Sequence, residues 1–227
     1  GAIPLLFLAE QTKNEVKVLL NTEGGDELFG GCRAYTKAIK FQNIAELNLA
    51  PFLKKTIIRL LQKYSAKTKA IINAKDLLDK YIEINACFTI EQLEQLIQSA
   101  DQVKPKAIQK DQNIKNLLTY DLDNLLPNDL LFKSDKCLMH FGIENRDALL
   151  KTELIDYLKT LDAKWFIKGG EQKYLLKKIT KKYIPSHLME KPIGSLKLPL
   201  ALWLKTIFKP FVDEFITTEK LNEHQLL

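Results

Sequence analysis

Residues 16–31 read VKVLLNTEGGDELFGG, and the fold turns on this stretch. Val16 to Leu20 is a short apolar run carrying two valines, which predicts a buried strand. Directly behind it, four of the chain's nine glycines fall within residues 21–31, together with three carboxylates, Glu23, Asp26 and Glu27. In open α/β sheets, ligands bind beyond the carboxyl ends of the strands. Glycines there let the backbone take positive φ and approach a ligand closely. Carboxylates in that position suit a hard cation such as Mg²⁺, or proton transfer during acyl chemistry. Asp26 and Glu27 would also complement the positive N-terminal end of a following helix. Spacing alone favours that plainer role.

On either side the pattern is almost wholly helical. Residues 3–14 predict a short helix with an apolar face, and from about Tyr35 to Leu161 apolar residues recur at three- and four-residue spacings, most clearly over 52–64 and 90–98. Residues 123–150 predict a long helical stretch opened by Pro127, a residue suited to a first turn. Gly169 and Gly170 interrupt, and 171–184 is again helix-like. Lys173, Lys177 and Lys181 repeat every four residues there, which by itself reads as a solvated lysine stripe. Pro185, Pro192, Pro199 and Pro210 punctuate the tail. A single strand cannot satisfy its own backbone groups. Either a second strand is hidden in the helical pattern or the sheet continues in something larger, and the second reading is favoured. The expected class is therefore α/β, predominantly helical, with one or two strands. We expect one partial domain over 1–227: a strand and acidic glycine loop (16–31), a helical body (35–184) and a proline-punctuated tail (185–227).

Composition narrows the function classes. Of 227 residues 46% are hydrophobic and 27% charged, the balance of a globular chain rather than a disordered one. No apolar run approaches the roughly 20 residues that span a bilayer. No membrane association and no secretory leader are expected, since residues 1–4 lack a basic n-region. Cys32, Cys87 and Cys137 form no CxxC pair, so neither disulfide framework nor zinc knuckle is expected, and the default compartment is the reducing cytoplasm. The net charge of +6 rests on lysine, for only Arg33, Arg59 and Arg146 are arginine. Base and phosphate recognition leans on arginine's fork of donors, so nucleic acid is not an expected partner. His140, His187 and His224 each lack a metal-ligand neighbour at useful spacing, and Trp165 and Trp203 read as core anchors.

Four segments in order carry a resemblance. Residues 18–31 (VLLNTEGGDELFGG) resemble the pattern V-x-L-S-G-E-G-x-D-E-L-F-G-G of the glutamine-hydrolysing asparagine synthetase family. Residues 130–146 (LLFKSDKCLMHFGIENR) are similar to its L-L-x-K-x-D-R-x-S-M-x-x-x-x-E-x-R. Residues 170–178 (GEQKYLLKK) resemble G-x-x-K-Y-L-L-R-R, and 198–204 (LPLALWL) resemble V-P-L-x-x-W-L.

The resemblance implies the C-terminal part of a synthetase domain with an adenine-nucleotide alpha-hydrolase-like fold, the PP-loop ATP pyrophosphatase type. It implies ATP and Mg²⁺ as cofactors, and aspartate or a related carboxylate as substrate. Ammonia would come from glutamine, hydrolysed in a separate domain or a companion glutaminase chain. Carried over by position, Glu23 matches the active-site glutamate beside the acyl-adenylate, and Lys173 the lysine that neutralises charge on the phosphates or the acyl transition state. Asp26 matches a Mg²⁺-pyrophosphate ligand and Glu27 a further acid of the motif. Asn21, Thr22 and Gly24 fall in the nucleotide-contacting loop, and Lys133 and Arg146 on basic positions of the family pattern.

The sequence also departs from that pattern. No S-G-G-x-D-S phosphate loop occurs in these residues, nor the N-terminal cysteine nucleophile of the glutaminase domain. They are therefore expected to be inactive alone and to need an N-terminal half, encoded as a split gene or lost by trimming. The family's Ser-Gly is Asn21-Thr22 here, and its V-P-F-L-D after the arginine reads Asp147-Ala148-Leu149-Leu150-Lys151. Those changes leave open a relative that closes lactam or peptide rings on another carboxylate, or a non-catalytic remnant.

Overall fold

The computed structural model describes residues 1–46, 56, 65–89, 92–93, 113–189 and 198–223. The helices expected over 52–64 and 90–98 lie outside the described residues apart from Thr56, Gln92 and Leu93. Two compact units emerge, one comprising Gly1–Ala86 with Ala107–Tyr183 and the other Cys87–Lys106 with Ile184–Leu227.

In the first unit, α1 (Ala2–Thr12) leads to β1 (Val18–Asn21). The strand starts two residues later than its apolar run and takes in Asn21. Then follow α2 (Gly25–Phe29), α3 (Arg33–Glu46), α4 (Ala66–Asn73), α5 (Leu77–Asn85) and α6 (Ile114–Asp123). The last three begin where a polar side chain caps the first turn: Ser65 accepts from the Thr68 N–H, Asp76 from Asp79 and Asn113 from Lys115. A π-helical turn (Leu126–Leu131), with Pro127 in its opening positions, runs into α7 (Phe132–Met139).

There the expected helical stretch over 123–150 ends, because Gly142 takes φ 69° and turns the chain. Glu144–Asp147 is a strand, β2, paired parallel to β1 in the register Val18–Glu144, Leu19–Asn145, Leu20–Arg146 and Asn21–Asp147. ENRD contains no β-branched or aromatic residue, so pairing with β1 overrides its local preference. Among the described residues the fold therefore holds two strands, the upper number expected, with the second hidden in a helical pattern. The unit closes with α8 (Thr152–Thr160), a 3₁₀ turn (Ala163–Trp165) and α9 (Tyr174–Thr180).

Side chains alternate across the sheet. Leu19, Asn21, Asn145 and Asp147 are half-buried on one face, while Val18, Leu20, Glu144 and Arg146 are exposed on the other. Leu19 packs with Ala9 of α1, Leu138 of α7 and Ile143. A larger core gathers Leu28 and Phe29 of α2, Tyr35 and Ala38 of α3, Leu117 of α6 and Phe166. The second unit contributes α10 (Ser186–Met189), α11 (Leu200–Lys205), α12 (Lys209–Phe215) and α13 (Thr218–Glu223), with Trp203 edge-on to Phe208 at 6.1 Å. Among the described residues no helix is long and apolar enough to cross a membrane, and the three cysteines are free.

One polar cluster lies within the larger core. Asp121 of α6, 1% exposed, accepts from the hydroxyls of Tyr35 and Tyr81, whose rings stack at 5.2 Å. Burial pushes both hydroxyls far above the ordinary tyrosine range, and the Asp121 carboxylate adds to the effect. A buried carboxylate is stable only while such donors serve it. Asp121→Leu would leave two buried hydroxyls without an acceptor, a loss of about 2–5 kcal/mol. Tyr35→Phe would lose about 1 kcal/mol by the same reasoning. Urea unfolding of the two variants should show that order of midpoints.

Candidate active site

The site starts where β1 releases the chain. The Asn21 side chain accepts from the Thr22 N–H at 2.8 Å, and the Gly25 N–H donates to the Thr22 carbonyl at 3.2 Å, closing a turn around Glu23. Gly24 caps α2 with φ 84°, and a Cβ there would collide with Leu150 Cδ2. Asp26 and Glu27 occupy the first turn of α2, where the helix end favours negative charge. That is the plainer role open to them from spacing, and the geometry adds a second one to Asp26.

Lys173 Nζ lies 2.5 Å from Asp26 Oδ1, with Lys173 27% and Asp26 50% exposed. A Cβ on Gly31 would collide with both side chains, so the contact needs glycine at that position. Gln172 Nε2 donates to the Gly31 carbonyl at 3.0 Å and ties the two segments together again. Lys173 is no member of a helical stripe, because it precedes the first turn of α9. Lys177 pairs instead with Glu171 at 3.2 Å. With φ 53°, Lys173 is also the sole described non-glycine residue at positive φ. Left-handed backbone costs an L-residue about 1–2 kcal/mol.

Glu23 is half-buried, and that burial raises its carboxyl above the ordinary range. Lys133 opposes the rise, while Asp147, Asp26 and Asp129 reinforce it. Lys133 therefore faces Glu23 from α7, 3.8 Å from Asp129. Glu27 turns the other way. It is 4% exposed, lines a small cleft with Leu118, Leu158 and Phe166, and burial lifts its carboxyl to about 6. Thr22 is exposed and Asn21 half-buried at the strand end. Arg146 stands apart: its guanidinium pairs with Glu144 at 2.9 Å on the exposed face of the sheet, opposite to Asp147.

Asp26 and Lys173 thus meet in one ion pair, while Glu23 shares its charge environment with Lys133, Asp26 and, unforeseen, Asp147. Its only sequence signal was a carboxylate where the family pattern has valine. Among the described residues no three His, Cys, Asp or Glu side chains form a metal cage. One half-exposed carboxylate suits Mg²⁺ that arrives with phosphate oxygens and keeps its waters, and Asp26 offers that.

The family model for asparagine synthase matches residues 1–227. The chain belongs to the asparagine synthase family. It is 26% identical over 240 residues to asparagine synthetase [glutamine-hydrolyzing] 1 of Bacillus subtilis (strain 168), an alignment covering 99% of this chain and 37% of that protein. A putative asparagine synthetase [glutamine-hydrolyzing] of Mycobacterium bovis is 27% identical over 222 residues, covering 89% of this chain and 33% of its own. A protein of the same description from Mycobacterium tuberculosis (strain ATCC 25618 / H37Rv) matches equally. The chain therefore spans about a third of the length of these asparagine synthetase relatives. No solved structure matches it significantly.

Within this member of the asparagine synthase family, buried Glu27 gives a pH signature. Its carboxyl titrates near 6 in the fold against 4.5 when unconstrained. Between those values the folded chain holds the extra proton, so stability falls as pH rises. The loss amounts to about 2 kcal/mol by pH 7. Glu27→Gln should remove that slope, and urea unfolding at pH 4.5 and pH 7 compares the two proteins.

Proposed function

We propose that these residues supply part of the active site of an ATP-dependent amide-forming ligase of asparagine synthetase type. The observation that carries the reading is Lys173, held at positive φ and paired with Asp26. Strain of that kind concentrates at functional sites, where the surrounding structure over-determines it. The lysine is thereby fixed beside the loop that presents Glu23.

In the proposed reaction a substrate carboxylate oxygen attacks the α-phosphorus of ATP and releases pyrophosphate. Ammonia then attacks the activated acyl carbon, AMP departs, and the nitrogen sheds a proton. Glu23 takes that proton, a role suited to a carboxylate whose basicity is raised by burial. Lys173 stabilises negative charge on phosphate and leaving group from a fixed position. Lys133 adds positive charge on the Glu23 side, and Asp26 would hold a Mg²⁺ whose charge offsets that of the phosphates. Asn21, Thr22 and Gly24 form the turn on which nucleotide would rest. Arg146, on the other face, would act at a distance from the acyl centre.

The proposal includes a PP-loop ATP pyrophosphatase fold completed by a further α/β segment, in the same chain or a companion, and working in the cytoplasm. Two parallel strands with an exposed face at Val18 and Leu20 support it, because parallel sheets are ordinarily covered on both faces. Aspartate is the first choice of carboxylate, with ammonia drawn from glutamine. The exposed Thr22 in place of glycine, and Asp147 to Lys151 in place of V-P-F-L-D, favour a different carboxylate as second choice.

Two substitutions in the assembled enzyme test the roles. Glu23→Gln should lower amide formation roughly 10²–10⁴-fold. Carboxylate-dependent exchange of pyrophosphate into ATP should survive, since it needs no proton from ammonia. Undiminished amide formation would remove Glu23 from the mechanism. Lys173→Gly should leave the melting temperature nearly unchanged. Relief of positive φ, worth about 1–2 kcal/mol, offsets a part-exposed ion pair worth about 0–1 kcal/mol and the added backbone freedom of glycine. Activity should nevertheless fall on the order of 10²-fold. A second measurement concerns the chain by itself. Calorimetric titration with ATP and Mg²⁺ should show negligible binding, because these residues hold no glycine-rich phosphate loop.

A further inference from the structure

We propose that Asp147 is a positioning residue for Glu23, a carboxylate on β2 that fixes the Glu23 end of the loop and sets its charge environment. The inference rests on the reading of Glu23 as proton acceptor and adds a residue which that reading does not contain.

Geometry supports it first. The parallel register sets Asp147 opposite Asn21, two residues before Glu23, and the Ala148 N–H donates to the Asn21 carbonyl at 3.1 Å. The end of β1 is thus locked to the end of β2 at the point where the loop departs. Asn145 Nδ2 donates to Asp147 Oδ2 at 2.9 Å and also reaches Ser134 Oγ at 3.4 Å, with Ser134 fully buried. Asp147 is therefore held from its own strand and, through Asn145, from α7. Its Oδ1 is buried without a hydrogen bond, and burial raises the carboxyl above the ordinary range, opposed by Asn145 and then by the Glu23 backbone N–H.

Electrostatics gives the placement a consequence. The charged groups facing Glu23 are Lys133 on α7, Asp129 on the π-helical turn, Asp26 on α2 and Asp147 on β2. Of the three acids, Asp147 acts most strongly in raising the Glu23 carboxyl, ahead of Asp26 in Glu23's own loop. A valine at 147, as in the family pattern, would exert no such effect. Lys133 lowers the Glu23 carboxyl and Asp147 raises it, so the two bracket the proton acceptor with opposite signs. Burial is the larger cause of the rise, and the like charge of Asp147 adds to it, giving the stronger base that the amide-forming step asks of Glu23.

Carboxyl ¹³C NMR on the whole chain tests this without any assay of turnover. In wild type, the Glu23 titration curve should carry an inflection at the midpoint of Asp147, because two interacting acids titrate as a pair. Asp147→Asn, which keeps shape and one carbonyl acceptor, should move the Glu23 midpoint to lower pH. Asp147→Val should do the same and also shift the Glu23 amide proton resonance. A Glu23 curve without inflection in wild type, together with an unmoved midpoint in a folded Asp147→Asn chain, would overturn the proposal. Loss of melting temperature with no change in either Glu23 signal would reduce Asp147 to a structural residue and overturn it equally. Failure of the reading of Glu23 as proton acceptor would appear elsewhere, as amide formation that survives Glu23→Gln, and leaves the NMR outcomes distinct.

Discussion

The parallel pairing of Val18–Asn21 with Glu144–Asp147 is the constraint on which the site depends. It joins two segments more than a hundred residues apart, and the register assigns each side chain of β2 to one side of the sheet. A slip of one residue would exchange the faces. Asp147 would leave the loop of Glu23, and Arg146 would turn inward from its exposed pairing with Glu144. Contact of Leu19 with Ala9, Leu138 and Ile143 fixes the choice, because the apolar partner of β1 lies on one side only.

From that anchor the loop spreads its three acids into different environments. Glu23 faces α7 and β2, Asp26 pairs with Lys173 near solvent, and Glu27 enters the cleft against Leu118 and Phe166. Three carboxylates within five residues would repel one another if they shared one setting. Turning Glu27 inward and balancing Asp26 with lysine leaves Glu23 as the half-buried acid of the three. The glycines make this possible at two points, since Gly24 supplies the left-handed turn and Gly31 the room for the Asp26–Lys173 contact.

Much of this was legible in the sequence, and the parts that were not share a cause. The apolar run before the glycines announced β1, whereas the acids behind it read on spacing alone as charge for a helix end. Helices with apolar periodicity, such as α1, were equally open to reading. β2 was not, because ENRD carries no β-former and continues a helical pattern. A strand defined by its partner rather than by its own residues leaves no local signal. Lys173 was obscure for a related reason. A four-residue lysine spacing suggested a helix face, and the left-handed backbone that removes Lys173 from the helix depends on contacts with α2 far away in the chain. Asp147 was visible as a departure from a family pattern, yet its meaning required the register.

The same pairing links two of the departures from the family pattern, at 21–22 and at 147–151. Asn21 is paired with Asp147 across the strands, and Thr22 follows it into the loop. A change on one strand end alters what the other must accommodate. Asn21 uses its own side chain to hold the Thr22 N–H, so the turn here is closed by an amide rather than by glycine's freedom. Asp147 takes its partner from Asn145 and its neighbour from Glu23. The two strand ends therefore carry polar groups linked by Asn21, Asn145 and Asp147. Asn145 Oδ1 and Asp147 Oδ1 are nevertheless buried without a hydrogen-bond donor, an arrangement that costs free energy. Such a cost at the carboxyl ends of a parallel pair, where α/β sheets hold their ligands, accords with the proposed site, since unsatisfied buried groups call for an explanation beyond packing.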